Sequence, residues 1–145
     1  MGRGVMENSL ISHVGIAVTD LDQAIKKYSL LFNENNPAIH DVQDQKVKVA
    51  IFDGGSLKGG SRIELVAATN HASPIAKFID KNGEGLHHIC IYVENIEKKL
   101  IELQEAGVQL IDKIPRIGAE GNKIAFVHPA DLNGVLIELE EIPKA

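Results

Sequence analysis

Two histidines and two glutamates recur at matching places in this chain, and imidazole and carboxylate both ligate borderline divalent cations. His13 opens "HVGIAV" and His88 opens "HICIYV", 75 residues apart (88 − 13 = 75). Glu64 in "RIELV" (62–66) and Glu138 in "LIELE" (136–140) sit in the middle of matching apolar runs, 74 residues apart (138 − 64 = 74). Taken singly, a histidine at a strand start is an ordinary structural or surface residue, and an outward-facing glutamate on a half-exposed strand is common. A carboxylate inside an apolar run is nevertheless costly to bury unless a cation or hydrogen bonds compensate it. Four such side chains recurring at equivalent places predict a shared site, in which a pseudo-twofold relation of the two halves would let them converge on one divalent ion with positions left open, as in catalytic sites.

The elements that must carry these residues are written twice. "SHVGIAVTDLDQAIKKYSLLF" from Ser12 resembles "HHICIYVENIEKKLIELQEAG" from His87. Each copy reads as a period-2 strand, a short polar turn able to cap a helix, then apolar residues at helical spacing. In the first helix these are Leu21, Ala24, Ile25, Tyr28 and Leu31; in the second they are Ile96, Leu100, Leu103 and Ala106, with Gly107 as the stop. "KVAIF" (48–52) meets "KIAFV" (123–127) at the same offset, and a one-residue loop difference accounts for the slip at the glutamates. The repeat aligns His87 with Ser12, so strand alternation predicts that His87 points away from His88. His40, His71 and His128 have no repeat partner and read as solvated.

The pattern predicts an α+β fold of two tandem βαβββ modules forming a cupped mixed sheet around a metal site. One domain spans 1–145, with module one at about 10–68, a linker at about 69–84 and module two at about 85–142. Within the linker, Ser73 and Pro74 read as the cap and first residue of a short helix.

A chain of 145 residues with 44% hydrophobic and 24% charged residues is of the globular class. A net charge of −5, 4% aromatics and no Trp argue against a nucleic-acid partner. No apolar run approaches the roughly 18 residues of a membrane span, and "MGRGVMENS" reads as a frayed tail rather than a signal peptide. The single cysteine, Cys90, forms no internal disulfide and reads as a small buried hydrophobe in a reducing, cytoplasmic setting. "GGSLKGGS" lacks the Gly-Lys-Ser/Thr ending of a phosphate loop and reads as a turn.

Tandem modules with His on the first strand and Glu on the last resemble the vicinal oxygen chelate superfamily, from about Ile11 to Glu141. Within it the chain is most similar to the methylmalonyl-CoA epimerases, through "HVGIAVTDLDQAI", "SPIAKF", "GEGLHHICIYV" and "GAEGNKIAFVHPADLNGVLIELEE". The resemblance implies one divalent ion (Co, Mn, Ni or Zn) held by His13, Glu64, His88 and Glu138. It also implies an acyl-CoA substrate, a homodimer, and a proton shuttle between Glu138 and a second carboxylate. The epimerases place a Glu just before the third strand for that second role, where this chain has Asp44, one methylene shorter. Lys46, Lys48, Arg116 and Lys123 are cations near in sequence for CoA phosphates, with Lys46 and Lys48 sharing a face with Asp44 if that strand is regular.

Two alternatives stand beside the metal-dependent epimerase. A glyoxalase I type lactoylglutathione lyase would use the same four ligands without Asp44. A non-catalytic small-molecule binding protein, as in the resistance branch, would not need the metal set at all.

Overall fold

The computed structural model of the chain describes residues 10–54 and 60–143. In chain order the elements are β1 (Ile11–Ala17), α1 (Leu21–Phe32), β2 (Ala38–Val42), β3 (Val47–Phe52), β4 (Arg62–Ala68), α2 (Pro74–Asn82), β5 (Gly85–Val93), α3 (Ile96–Glu105), β6 (Arg116–Ile117), β7 (Lys123–Val127) and β8 (Ile137–Glu141). The eight strands form one mixed sheet in the order β2-β3-β4-β1-β5-β8-β7-β6. Reading outward from the central antiparallel β1/β5 pair, each half repeats the same sequence of first, last, third and second strand of its module. The first and last strands of each module are parallel (β1 with β4, β5 with β8), and the outer pairs are antiparallel. This is the expected α+β arrangement of two βαβββ units, and it sets the strands bearing all four repeated side chains side by side at the centre.

The helices form where their caps and apolar stripes require. Asp20 and Asn95, equivalent in the repeat (95 − 20 = 75), cap α1 and α3 by accepting from the backbone N–H of Gln23 and Lys98, each at 3.0 Å. Leu21, Ile25 and Tyr28 pack on a core of Phe52, Leu65 and Ala50, and Ile96, Leu100 and Leu103 pack on Ala125, Val127 and Leu139. Leu31, expected in the first stripe, is 67% exposed. Phe32 carries the stripe instead, four residues on from Tyr28, with its ring 5.4 Å from that of Phe52. Between the modules, Ser73 caps α2 and Pro74 is its first residue, as expected.

Another local expectation fails ahead of β3. Residues Gln43–Gln45 form a single 3-10 turn, and Lys46 is left-handed at φ 57°, so β3 begins only at Val47. Asp44, Lys46 and Lys48 therefore do not share one strand face, because a left-handed residue breaks the alternation between them. The frayed-tail reading of "MGRGVMENS" and the middle of the "GGSLKGGS" turn lie outside the described residues. Among the described residues, no helix is long and apolar enough to cross a membrane.

Candidate metal site

The central β1/β5 ladder carries two irregularities, and both aim side chains into the site. From Ile11↔Ile91 to His13↔Cys90, β1 advances two residues against one on β5, so Ser12 is the extra residue. From Gly15↔His88 to Ile16↔Leu86 the excess is on β5, and His87 is the extra residue. These two bulge residues are repeat equivalents (87 − 12 = 75). A bulge re-aims a side chain that strict alternation would send to the other face. Ser12 Oγ thus lies 3.2 Å from Nδ1 of His13, and His87 Nδ1 lies 2.9 Å from Nδ1 of His88. The expectation that His87 points away from His88 is corrected on this ground.

His13, Glu64, His88 and Glu138 are all buried. Three of them bring donor atoms together: His13 Nε2 to His88 Nε2 is 3.1 Å, His13 Nε2 to Glu138 Oε1 is 3.1 Å, and His88 Nε2 to Glu138 Oε1 is 2.9 Å. A near-equilateral triangle of this size matches the spacing of about 3.0 Å between neighbouring ligands of an octahedral ion with bonds of about 2.1 Å. Glu64 meets the same histidine at its other nitrogen, with Oε2 3.2 Å from His13 Nδ1. The Cys90 thiol is also close, within 4.8 Å of donor atoms of His13 and Glu138. Burial first, then the surrounding carboxylates, push this thiol far above its usual range, so it is held as a neutral thiol.

The electrostatics set the two buried carboxylates apart. Burial alone would raise the Glu138 carboxyl, but hydrogen bonds from His13 and His88 and their charges outweigh it and hold Glu138 well below the usual carboxylate range. Glu64 has less compensation: burial, with the Glu138 charge adding to it, pushes its carboxyl up to about 7. Burial opposes protonation of His13, yet the hydrogen bond to Glu138 and the charges of Glu64, Glu138 and Glu140 raise it overall. His87 is lowered to about 4, chiefly by burial and then by the neighbouring His88 charge. Two imidazoles and two buried carboxylates of unequal proton affinity fit a divalent ion, which would replace the protons that now join them.

A further carboxylate was not anticipated. Glu140, two residues after Glu138 on the same face of β8, is 3% exposed. It accepts from Ser12 Oγ at 2.5 Å and from Asn122 Nδ2 at 2.7 Å, while Arg62 Nη2 lies 3.6 Å away. Arg62 also donates to Ser12 Oγ at 2.7 Å and pairs with Glu120 at 2.5 Å. Ser12 therefore donates to Glu140 and accepts from Arg62 while facing His13, which ties the residues behind the donor triangle to the loop 118–122. Period two counted from Glu138 would have pointed to Glu140; Ser12 and Arg62 carry no such signal.

Two adjoining cavities open onto the donors, a small one of about 40 Å³ and a larger one of about 340 Å³. They share Gln45, Val47, Val66, His88 and Phe126. The small one holds His13, Glu64, Glu138 and Glu140, and the larger is bordered by Asp44, Lys46, His87 and Arg116. Asp44 thus stands at the rim of the larger cavity rather than against the donors. Its side chain is 55% exposed, with one oxygen 4.0 Å from Nη1 of Arg116. Among the described residues, Arg116 Nε is buried without a hydrogen-bond partner, beside the larger cavity. Of the other anticipated cations, Lys123 pairs with Glu97 at 2.7 Å on the surface and borders neither cavity.

Paired βαβββ modules around one buried His/His/Glu cluster also match a family model. The model of the glyoxalase/bleomycin resistance protein/dioxygenase superfamily matches residues 12–126. The chain belongs to this superfamily. The match takes in His13, Glu64 and His88, and stops before Glu138 on β8. Individual relatives match over more of the chain than the family model does. An uncharacterised protein of Bacillus subtilis is 41% identical over 134 residues, 92% of each chain. An ethylmalonyl-CoA/methylmalonyl-CoA epimerase of Cereibacter sphaeroides is 39% identical over 134 residues, 91% of this chain and 97% of the relative. Among solved structures, the methylmalonyl-CoA epimerase of Mycobacterium tuberculosis superposes with a TM-score of 0.85 at 33% identity, covering 99% of this chain and 97% of the other.

Proposed function

We propose that this member of the superfamily is a metal-dependent methylmalonyl-CoA epimerase, an isomerase that inverts the carbon between a thioester and a carboxylate. The observation that carries the reading is the buried donor triangle of His13, His88 and Glu138, with Glu64 beside it, at the floor of a cavity in a chain similar to such epimerases over nearly its whole length. Those four residues are the proposed ligands. A divalent ion held there would supply positive charge against the negative charge that develops as the substrate carbon loses its proton.

The chain's own residues do the rest. Glu138 at the cavity floor and Asp44 at the rim are the proposed acid–base pair, each taking the proton in one direction and returning it in the other. Val47, Val66 and Phe126 form apolar walls that limit water around the reacting carbon. Arg116, with its unmet Nε, and Lys46 are the cations that would face the anionic parts of an acyl-CoA at the mouth. We also propose a single folding unit that works as a homodimer in the cytoplasm. Exposed apolar side chains such as Leu30, Leu86 and Ile114 offer surface for a second copy, and the buried free thiol of Cys90 suits a reducing compartment.

The test is incubation of metal-loaded protein with one stereoisomer of methylmalonyl-CoA in D2O, following deuterium at the central carbon by mass spectrometry. Metal-dependent uptake with loss of stereochemical purity is expected. Formation of lactoylglutathione from glutathione and methylglyoxal in a parallel tube, with no uptake in the first, would overturn the reading in favour of a glyoxalase.

A further inference from the structure

We propose that His87 is a positioning residue: in the cation-bound protein its Nδ1 accepts the proton of His88 Nδ1, holding His88 in the tautomer that leaves Nε2 free as a ligand. The inference rests on the metal reading of the site and deepens it.

The two Nδ1 atoms are 2.9 Å apart, a hydrogen-bond distance that requires one proton between them. His88 Nε2, on the opposite edge of the ring, is the atom that joins the donor triangle. A neutral imidazole has one N–H and one lone pair. Ligation through Nε2 therefore places the proton of His88 on Nδ1, and the atom there to receive it is Nδ1 of His87. His87 must then carry its own proton on Nε2. Groups that accept from the second nitrogen of a ligating histidine fix its tautomer and orientation.

The ring of His87 is held for this task. The bulge in β5 turns it toward His88, and Phe78 of α2 packs against it edge-on with centroids 4.8 Å apart. The repeat gives an independent argument. Ser12, the equivalent bulge residue, sits 3.2 Å from Nδ1 of His13, so each histidine of the triangle is preceded by a bulged polar residue facing its distal nitrogen. In module one an oxygen of Glu64 also lies 3.2 Å from that nitrogen; among the described residues, His87 is the hydrogen-bond partner at His88 Nδ1.

The experiment compares the wild-type protein with His87→Phe and His87→Asn. Phenylalanine keeps the ring against Phe78 without an acceptor, whereas asparagine places Oδ1 near the position of the lost Nδ1. Zn affinity would be measured by competition with a chromophoric chelator, and histidine tautomers by long-range 1H–15N correlation spectra of the Zn-loaded protein. The expected result is His88 protonated at Nδ1 in wild type, a roughly 10–100-fold loss of Zn affinity in H87F, and substantial recovery in H87N. Thermal melts of the metal-free variants separate this loss from misfolding. Zn affinity in H87F equal to wild type, or His88 protonated at Nε2 in the Zn-loaded protein, would overturn the inference alone. No Zn binding by the wild-type protein would overturn the metal reading together with it.

Discussion

The ring of His88 fills the space that Gly15 leaves open on the facing strand: a Cβ built on Gly15 would lie 2.1 Å from Cε1 and 2.5 Å from Nδ1 of His88. Gly15 is not among the positive-φ residues, so the requirement is for volume rather than backbone freedom. Gly15→Ala is therefore expected to leave the sheet intact and to push the His88 ring out of the donor triangle. Divalent-metal affinity, measured by calorimetry, should fall on the order of 100-fold, as when a ligating imidazole loses its orienting contacts. Affinity close to wild type would mean that the ring has another place to go.

The acidic groups make the metal-free and metal-bound proteins respond to pH in opposite ways. Glu64 is raised to about 7 from the ordinary carboxylate value near 4.5, so the folded metal-free protein binds more protons than the unfolded chain between those values. Its contribution therefore falls as pH rises from about 4.5 to about 7, by on the order of 3 kcal/mol. His13, also raised, loses stabilisation as pH climbs through its folded value. Glu138 is depressed, so its contribution is present above the unfolded value and is lost as pH falls into the acid range. Melting temperature measured in chelator should peak at mildly acidic pH. Metal affinity should instead climb up to about pH 7, because binding releases the Glu64 proton. Glu64→Gln should flatten that climb, and an unchanged slope would exclude Glu64 as its source.

The donor triangle was readable in the sequence because a duplication marks equivalent places, and His13, His88 and Glu138 stand at the ones that face inward. What alternation could not supply was the pair of bulges. One extra residue in each central strand turns Ser12 and His87 inward, and nothing in either residue's identity announces a bulge. The position of Asp44 depended on a left-handed residue at Lys46, which is uncommon for a side chain other than Gly or Asn. Contacts such as Arg62 to Glu120 join residues far apart in sequence, and only the folded sheet places them together.

Glu140 acts as the anchor beneath the site. Replacing it with leucine would leave the Ser12 hydroxyl and the Asn122 amide without their acceptor, and would remove one of the charges facing Arg62. Breaking a buried charged network from one side costs about 3 kcal/mol or more. Urea unfolding of Glu140→Leu should register that loss, whereas Glu140→Gln, which keeps an acceptor, should recover part of it. Equal stability of the leucine variant and wild type would show that the network is energetically idle.

Asp44 tests the division of labour between the two carboxylates. Its side chain stands at the cavity rim, away from the donor triangle, so Asp44→Asn should leave metal affinity unchanged. If Glu138 and Asp44 serve opposite faces of the substrate carbon, the variant keeps one base and loses the other. One stereoisomer of methylmalonyl-CoA should then still exchange its central proton for deuterium, by return on the same face, while the other becomes inert. Inversion should fall by about 100-fold or more, the usual contribution of a positioned acid–base group. Epimerisation at the wild-type rate with metal bound would instead remove Asp44 from the chemistry. The second carboxylate would then have to be found among the groups lining the smaller cavity, where Glu120 and Glu140 are the remaining acids.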